Sequence, residues 1–140
     1  MPRIMSRFGL ALAALTCLPP LAALAQGNVR EREFKTAPGH ELRIGVYTDI
    51  RQDCTSGPLP VIRLATPPAH GAVSVKRGRL KVTNFKQCLA TEVPAFVAFY
   101  RAAADFRGDD QVVLEIAWPD GRKQVQRFRI EVANAAGEGI

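Results

Sequence analysis

Two apolar runs joined by a short polar connection constrain this chain more than any other stretch: FVAFYRAAADFRGDDQVVLEIAW, from Phe96 to Trp118. Phe96 to Tyr100 is unbroken and apolar. It is too short to be a helix on its own and rich in aromatic residues, which suits a central strand buried on both faces. After a connection containing Gly108, the residues Val112, Leu114, Ile116 and Trp118 recur at a spacing of two, with Val113, Glu115 and Ala117 between them. That spacing predicts a strand with one face on a core.

The remainder of the chain repeats this theme. Phe34 to Thr36 reads as a short edge strand followed by a Pro38-Gly39 turn. Leu42, Ile44 and Val46 alternate with Arg43, Gly45 and Tyr47 in a half-buried strand ending near Asp49. RQDCTSGPLP is a loop by composition. Val61 to Leu64, Ala72 to Lys76 and Arg79 to Val82 read as three more strands, with Gly78 marking a tight hairpin between the last two. Asn84 to Pro94 reads as irregular, and Phe128, Ile130 and Val132 form a last alternating strand. Seven or eight short strands with no amphipathic helix are the pattern of an all-β, two-sheet sandwich.

Three local motifs sharpen this. Tyr100, Phe106, Gly108 and Asp110 reproduce a Y-x-P-x-x-x-F-x-G-x-D signature, with Ala102 in place of the proline. Upstream, Pro68, His70 and Gly71 in PPAHGAVSV match a P-x-H-G-x-V turn and strand, and downstream Asp120-Gly121 matches a D-G hairpin turn. Over roughly residues 61–132 the chain resembles the bacterial cadherin-like and immunoglobulin-like repeat families. The resemblance implies an immunoglobulin-like or cadherin-like antiparallel β-sandwich in a bacterial setting. Here it covers a single unit, and the pair Cys54 and Cys88 is not part of the family pattern.

Residues 1–25 carry Arg3 and Arg7, an apolar segment from Phe8 to Leu18, and Ala23-Leu24-Ala25 at their end, which together predict a cleaved secretory signal peptide. Pro19-Pro20 interrupts the apolar run short of the roughly 20 residues a membrane span needs, so no transmembrane segment is expected after cleavage. Residues 26–33 read as a flexible lead-in, 34–133 as the sandwich and 134–140 as a frayed tail. The expected location is periplasmic or secreted. Without the leader's two arginines, 19 basic residues become 17 against 13 acidic, a net charge of +4. That is too diffuse for a nucleic-acid partner.

Cys54 and Cys88 are the only cysteines beyond the leader, and an exported chain meets an oxidising compartment, so they are expected to form a disulfide. Their separation is too wide for a redox or metal pair. Lys76, Arg77, Arg79 and Lys81 surround the expected hairpin, which directs Lys76, Arg79 and Lys81 to one face as a candidate anion-binding surface. Asp105, Asp109, Asp110 and Asp120 lie near two turns and are weak calcium candidates through oxygen ligands. Asp110 is also read as a turn residue bonding its own backbone. His70 is assigned to steadying its turn and His40 to solvent, since neither has partners at ligand spacing. Arg107-Gly108-Asp109 is accounted for by the turn.

The chain beyond the leader has only two serines, Ser56 and Ser74, and lacks G-x-S-x-G, H-E-x-x-H and phosphate-loop patterns. The expectation is therefore a non-enzymatic exported module without cofactors that binds an envelope protein or polymer. Binding would use edge strands that accept a partner strand, or end loops held by Cys54 and Cys88. The alternative expectation is a charge-driven binder of anionic glycan or lipid through the Lys76–Lys81 hairpin. A small metal-dependent hydrolase using the aspartates is a third.

Overall fold

In the computed structural model of the protein, residues 28–83 and 85–134 are described. The expected signal peptide, Gln26 and Gly27, and tail residues 135–140 lie outside them. Seven strands are present: β1 Val29–Thr36, β2 Glu41–Tyr47, β3 Val61–Thr66, β4 Gly71–Lys81, β5 Glu92–Ala102, β6 Gly108–Ala117 and β7 Lys123–Val132. They form a four-stranded sheet in the order β1-β7-β6-β3 and a three-stranded sheet in the order β2-β5-β4. This is an immunoglobulin-like sandwich, antiparallel except where β1 runs parallel to β7.

The alternation in β6 does what its spacing predicts. Val112, Leu114 and Ile116 are buried, and they face Ile44, Tyr47, Ala98, Tyr100 and Ala102 of the other sheet together with Phe128, Ile130 and Val132 from β7. Each large side chain so buried contributes about 1.5–3 kcal/mol relative to exposure, so this layer holds the sheets together. β2 departs from its expected alternation. Its register against β5 shifts between Arg43 and Gly45, and the extra residue turns the strand over. Ile44 and Tyr47 are buried and Val46 is exposed, as a bulge requires.

Two expected boundaries are corrected. Residues 29–33 of the expected flexible lead-in belong to β1, in register with β7 from Val29 opposite Val125 to Thr36 opposite Val132. VREREFKT has no apolar alternation to announce it. Its outward charges instead meet opposite charges on β7: Glu31 with Arg127 at 2.8 Å, Glu33 with Arg129 at 3.9 Å and Lys35 with Glu131 at 3.3 Å. Exposed pairs of this kind add little individually, so the backbone ladder holds the strand and the charges fix its register.

The hairpin at Gly78 does not exist. β4 is one continuous strand whose register with β5 runs without a shift from Gly71 opposite Ala102 to Lys81 opposite Glu92. Gly78 sits opposite Ala95 and is not among the residues with positive φ, as a two-residue hairpin turn would demand. The reason lies in β5, which begins at Glu92 and supplies a partner for every residue of β4. Two expected strands thus become one and the count is seven.

Candidate functional site

The signature residues converge on one end of the sandwich. Asp110, only 6 % exposed, accepts four hydrogen bonds: from Tyr100 OH at 2.8 Å and the His70 amide at 3.1 Å on Oδ2, and from the Ala69 and Gln111 amides at 2.9 Å each on Oδ1. The His70 ring stacks on Phe106 with centroids 4.0 Å apart. Gly108 has φ of +135°, open to glycine but strained for other residues. A Cβ on Gly71 would strike the Tyr100 ring at 2.8 Å and the Arg101 carbonyl at 2.5 Å. Burial drives the Tyr100 hydroxyl well above the ordinary phenol range, and its bond to Asp110 adds to the shift. Burial also works to raise the Asp110 carboxyl, but Tyr100 and the three backbone amides outweigh it and hold the group below the usual carboxylate range.

Asp110 bonds local backbone as expected, through the Gln111 amide, but it lies in β6 rather than a turn and takes its other three donors from Tyr100, Ala69 and His70. It ties the loop of residues 67–70 to Tyr100 in β5 and to β6 itself, and its oxygens are occupied by donors. The four calcium candidates are not gathered. Asp105 and Asp109 are exposed near Asp110, while Asp120 lies beyond the far end of β6, where it holds Arg122 at 2.6 Å. Among the described residues no group of three or more histidine, cysteine, aspartate or glutamate side chains is arranged for a metal ion. His40 is exposed next to its turn.

Cys54 and Cys88 are bonded, with Cα atoms 5.3 Å apart. Cys88 is 1 % exposed and forms a second small core with Val82 and Val93, against which Ile50, Cys54, Leu80 and Phe85 pack. Leu80 and Val93 are opposite each other in the ladder, on the face of the sheet away from Tyr100. The bridged loops therefore cover the outer face of the β4–β5 end.

The four basic residues spread along β4 rather than around a turn. Lys76 pairs across with Val97 on the outer face, where its ammonium lies 4.7 Å from the Phe99 ring centre and 3.3 Å from Glu41. Arg77, Arg79 and Lys81 alternate onto the other face, opposite Phe96, Pro94 and Glu92. Arg79 reaches Glu92 at 3.5 Å. Among the described residues, Arg77 and Lys81 have no ion-pair partner.

That other face is the inward one, since it also carries Val73 opposite Tyr100. Toward Lys81, however, the opposing sheet does not close over it. Val75 is 42 % exposed and Leu64 of β3, whose ladder partner Leu114 is core, is 41 % exposed. β3 and β4 are the edges of their sheets on this side. Between them runs an open seam of about 750 Å³ bordered by Val61 and Ile62, by Val75 and Arg77, and by Pro94 and Phe96, with residues 56–60 at one end. A larger concavity of about 990 Å³ spans β1, β7, the start of β6 and residues 66–70; Glu33 with Arg129 and Lys35 with Glu131 are paired on its rim, whereas Asp109 forms no ion pair among the described residues.

Among the described residues, the β3–β4 side thus combines two strand edges with the inward-pointing Val75 and Arg77 that line the seam, and carries Leu64 and Lys81 farther along the same strands, outside its lining. Such a surface can hold a partner by backbone hydrogen bonds, burial and charge. Its apolar members went unrecognised in the sequence because Leu64 and Val75 alternate as core residues do. No family model, no curated protein and no solved structure matches the chain. Among the described residues no helix is long and apolar enough to cross a membrane.

Proposed function

We propose that the protein is a non-enzymatic, exported sandwich module, periplasmic or secreted, that works by binding another envelope macromolecule along the β3–β4 side. The observation that carries this is the exposure of Leu64 and Val75, which point toward the interior yet are 41 % and 42 % exposed beside two free edges. An edge strand invites an added strand, and natural sheets usually cover, shorten or bulge such edges. β4, at 11 residues, has no proline and no register shift, and its only guard against strand addition is the charge of Lys76, Arg77, Arg79 and Lys81, which an acidic partner would meet favourably. The convergence of Tyr100, Asp110, His70 and Gly71 supports the cadherin-like and immunoglobulin-like family reading.

The test is in-cell photocrosslinking with a photoreactive residue at Val75, compared with one at Arg129 on the outer face of the other sheet. A discrete adduct from position 75 and none from position 129 is the expected result. Equal adducts from both positions, or none from position 75, would refute the reading. The purely charge-driven alternative has less to stand on once the hairpin is gone, because Lys76 and Arg79 are already paired with Glu41 and Glu92.

A further inference from the structure

We infer that the β3–β4 seam receives an extended acidic peptide segment, which adds to β4 as the next strand of the β2-β5-β4 sheet and sets its apolar side chains between β3 and β4. The inference rests on the interaction reading above and specifies the partner's chemistry.

Three observations meet here. Alternate residues of β4 direct their amide and carbonyl groups to the free side, which a strand partner satisfies and a folded surface does not. The apolar side chains along the inward face, Val73 and Val75, lie two residues apart, the spacing at which an added strand presents side chains to the same face. Continuing along that face, Arg77 and Lys81 form no ion pair among the described residues; Glu92 stands opposite Lys81 in the ladder but is engaged by Arg79 at 3.5 Å. Residues directly opposite in adjacent strands bring their Cβ atoms to about 4.5–5.5 Å, where unlike charges stabilise and like charges do not.

These positions write a pattern for the segment. It carries apolar residues opposite Val73 and Val75 and carboxylates opposite Arg77 and Lys81, with the position opposite Arg79 left open. A second copy of the chain pairing through β4 is the wrong partner, because β4 has no acidic residue to set opposite Arg77 or Lys81. A polyanion is also a poorer fit, since it would neutralise Arg77 and Lys81 while leaving Val75 and Leu64 in water.

The test uses the mature protein and a synthetic peptide matched to the length of β4, with Val and Glu at the positions just given and Thr elsewhere, made in both chain directions. Polyglutamate and phosphatidylglycerol vesicles serve as anionic comparisons. The expected result is binding of one direction, with new hydrogen-exchange protection of β4 amides. Affinity should fall about tenfold or more when Lys replaces Glu in the peptide or when the protein carries Arg77→Gln and Lys81→Gln. Both residues are exposed and form no ion pair among the described residues, so the double variant should keep the parent's thermal unfolding. Three results would overturn the inference: polyglutamate or vesicles binding as tightly without protecting β4, peptide binding that protects β2 or residues 48–58 instead, or no binding in either direction. None of these touches the crosslinking result from Val75, so the binding reading stands or falls separately.

Discussion

Replacing Asp110 by alanine should cost about 2–5 kcal/mol, and the structure shows why. Tyr100 is fully buried, so its hydroxyl has no water to turn to when the carboxylate is removed. An orphaned buried donor costs about 1–3 kcal/mol. The Ala69 and His70 amides belong to exposed residues and can recruit water, so together with the Gln111 amide they add about 1–2 kcal/mol. Against a typical domain stability of about 5–15 kcal/mol, that is a large share. Asp110→Asn keeps one acceptor oxygen and nearly the same volume while giving up the charge, and should cost about half as much.

The same pair of variants carries a pH signature. A carboxyl held below its ordinary range contributes stability that is present above the unfolded value, about 3.9, and lost as pH falls through the lower folded value. Asp53 and Asp120 are also held low, by hydrogen bonds from Thr55 and from Arg122 respectively. Both remain in the variant, so the difference between parent and variant isolates Asp110. Urea unfolding with the disulfide intact, followed by the fluorescence of Trp118, the single tryptophan, at pH 7 and at pH 3 makes the measurement. The cost of Asp110→Asn should shrink at pH 3. An alanine variant within about 1 kcal/mol of the parent at pH 7, or an asparagine variant as acid-sensitive as the parent, would refute the reasoning.

Removing the disulfide by Cys54→Ser with Cys88→Ser should cost about 4 kcal/mol in the loop-closure account, given a separation of 34 residues. Hydrogen exchange should rise first in residues 80–93, around Val82 and Val93. A uniform rise across both sheets would contradict a separate small core. The protein has two tyrosines, and neither should ionise near pH 10 while folded. Burial lifts Tyr47 to about 12, only partly offset by the nearby Arg32 charge, and Tyr100 lies higher. Both raised values stabilise the fold below the unfolded value of about 10, a contribution lost as pH rises through the folded values. Absorbance at 295 nm should therefore appear only with alkaline unfolding, and a phenolate signal near pH 10 in the folded protein would refute the burial of both rings.

What the sequence made legible follows from period-two alternation. The side-chain pattern in Val112, Leu114 and Ile116 depends on one strand and one core, and a single segment carries both. The disulfide was legible for a similar reason, since two cysteines beyond residue 25 leave one intramolecular pairing between them. The Tyr100–Asp110 signature was visible as spacing, though its meaning as a buried hydrogen-bonded tie was not, because the donors at Ala69 and His70 come from a distant stretch of chain.

The misread elements share a cause, which is that their state depends on a partner strand. The 29–33 lead-in becomes a strand because β7 offers Arg127, Arg129 and Glu131 in the right register. Gly78 reads as a turn because glycine permits one, whereas the early start of β5 at Glu92 keeps β4 straight. The seam is the extreme case. Local alternation tells Leu64 and Val75 which way to point, but whether another sheet arrives there is settled by how far two separately built layers overlap. Alternation along one strand is a property of the chain itself. Closure between strands is a property of the assembled sandwich, so the sequence determined which faces are apolar and only the tertiary structure decided which of them stay open.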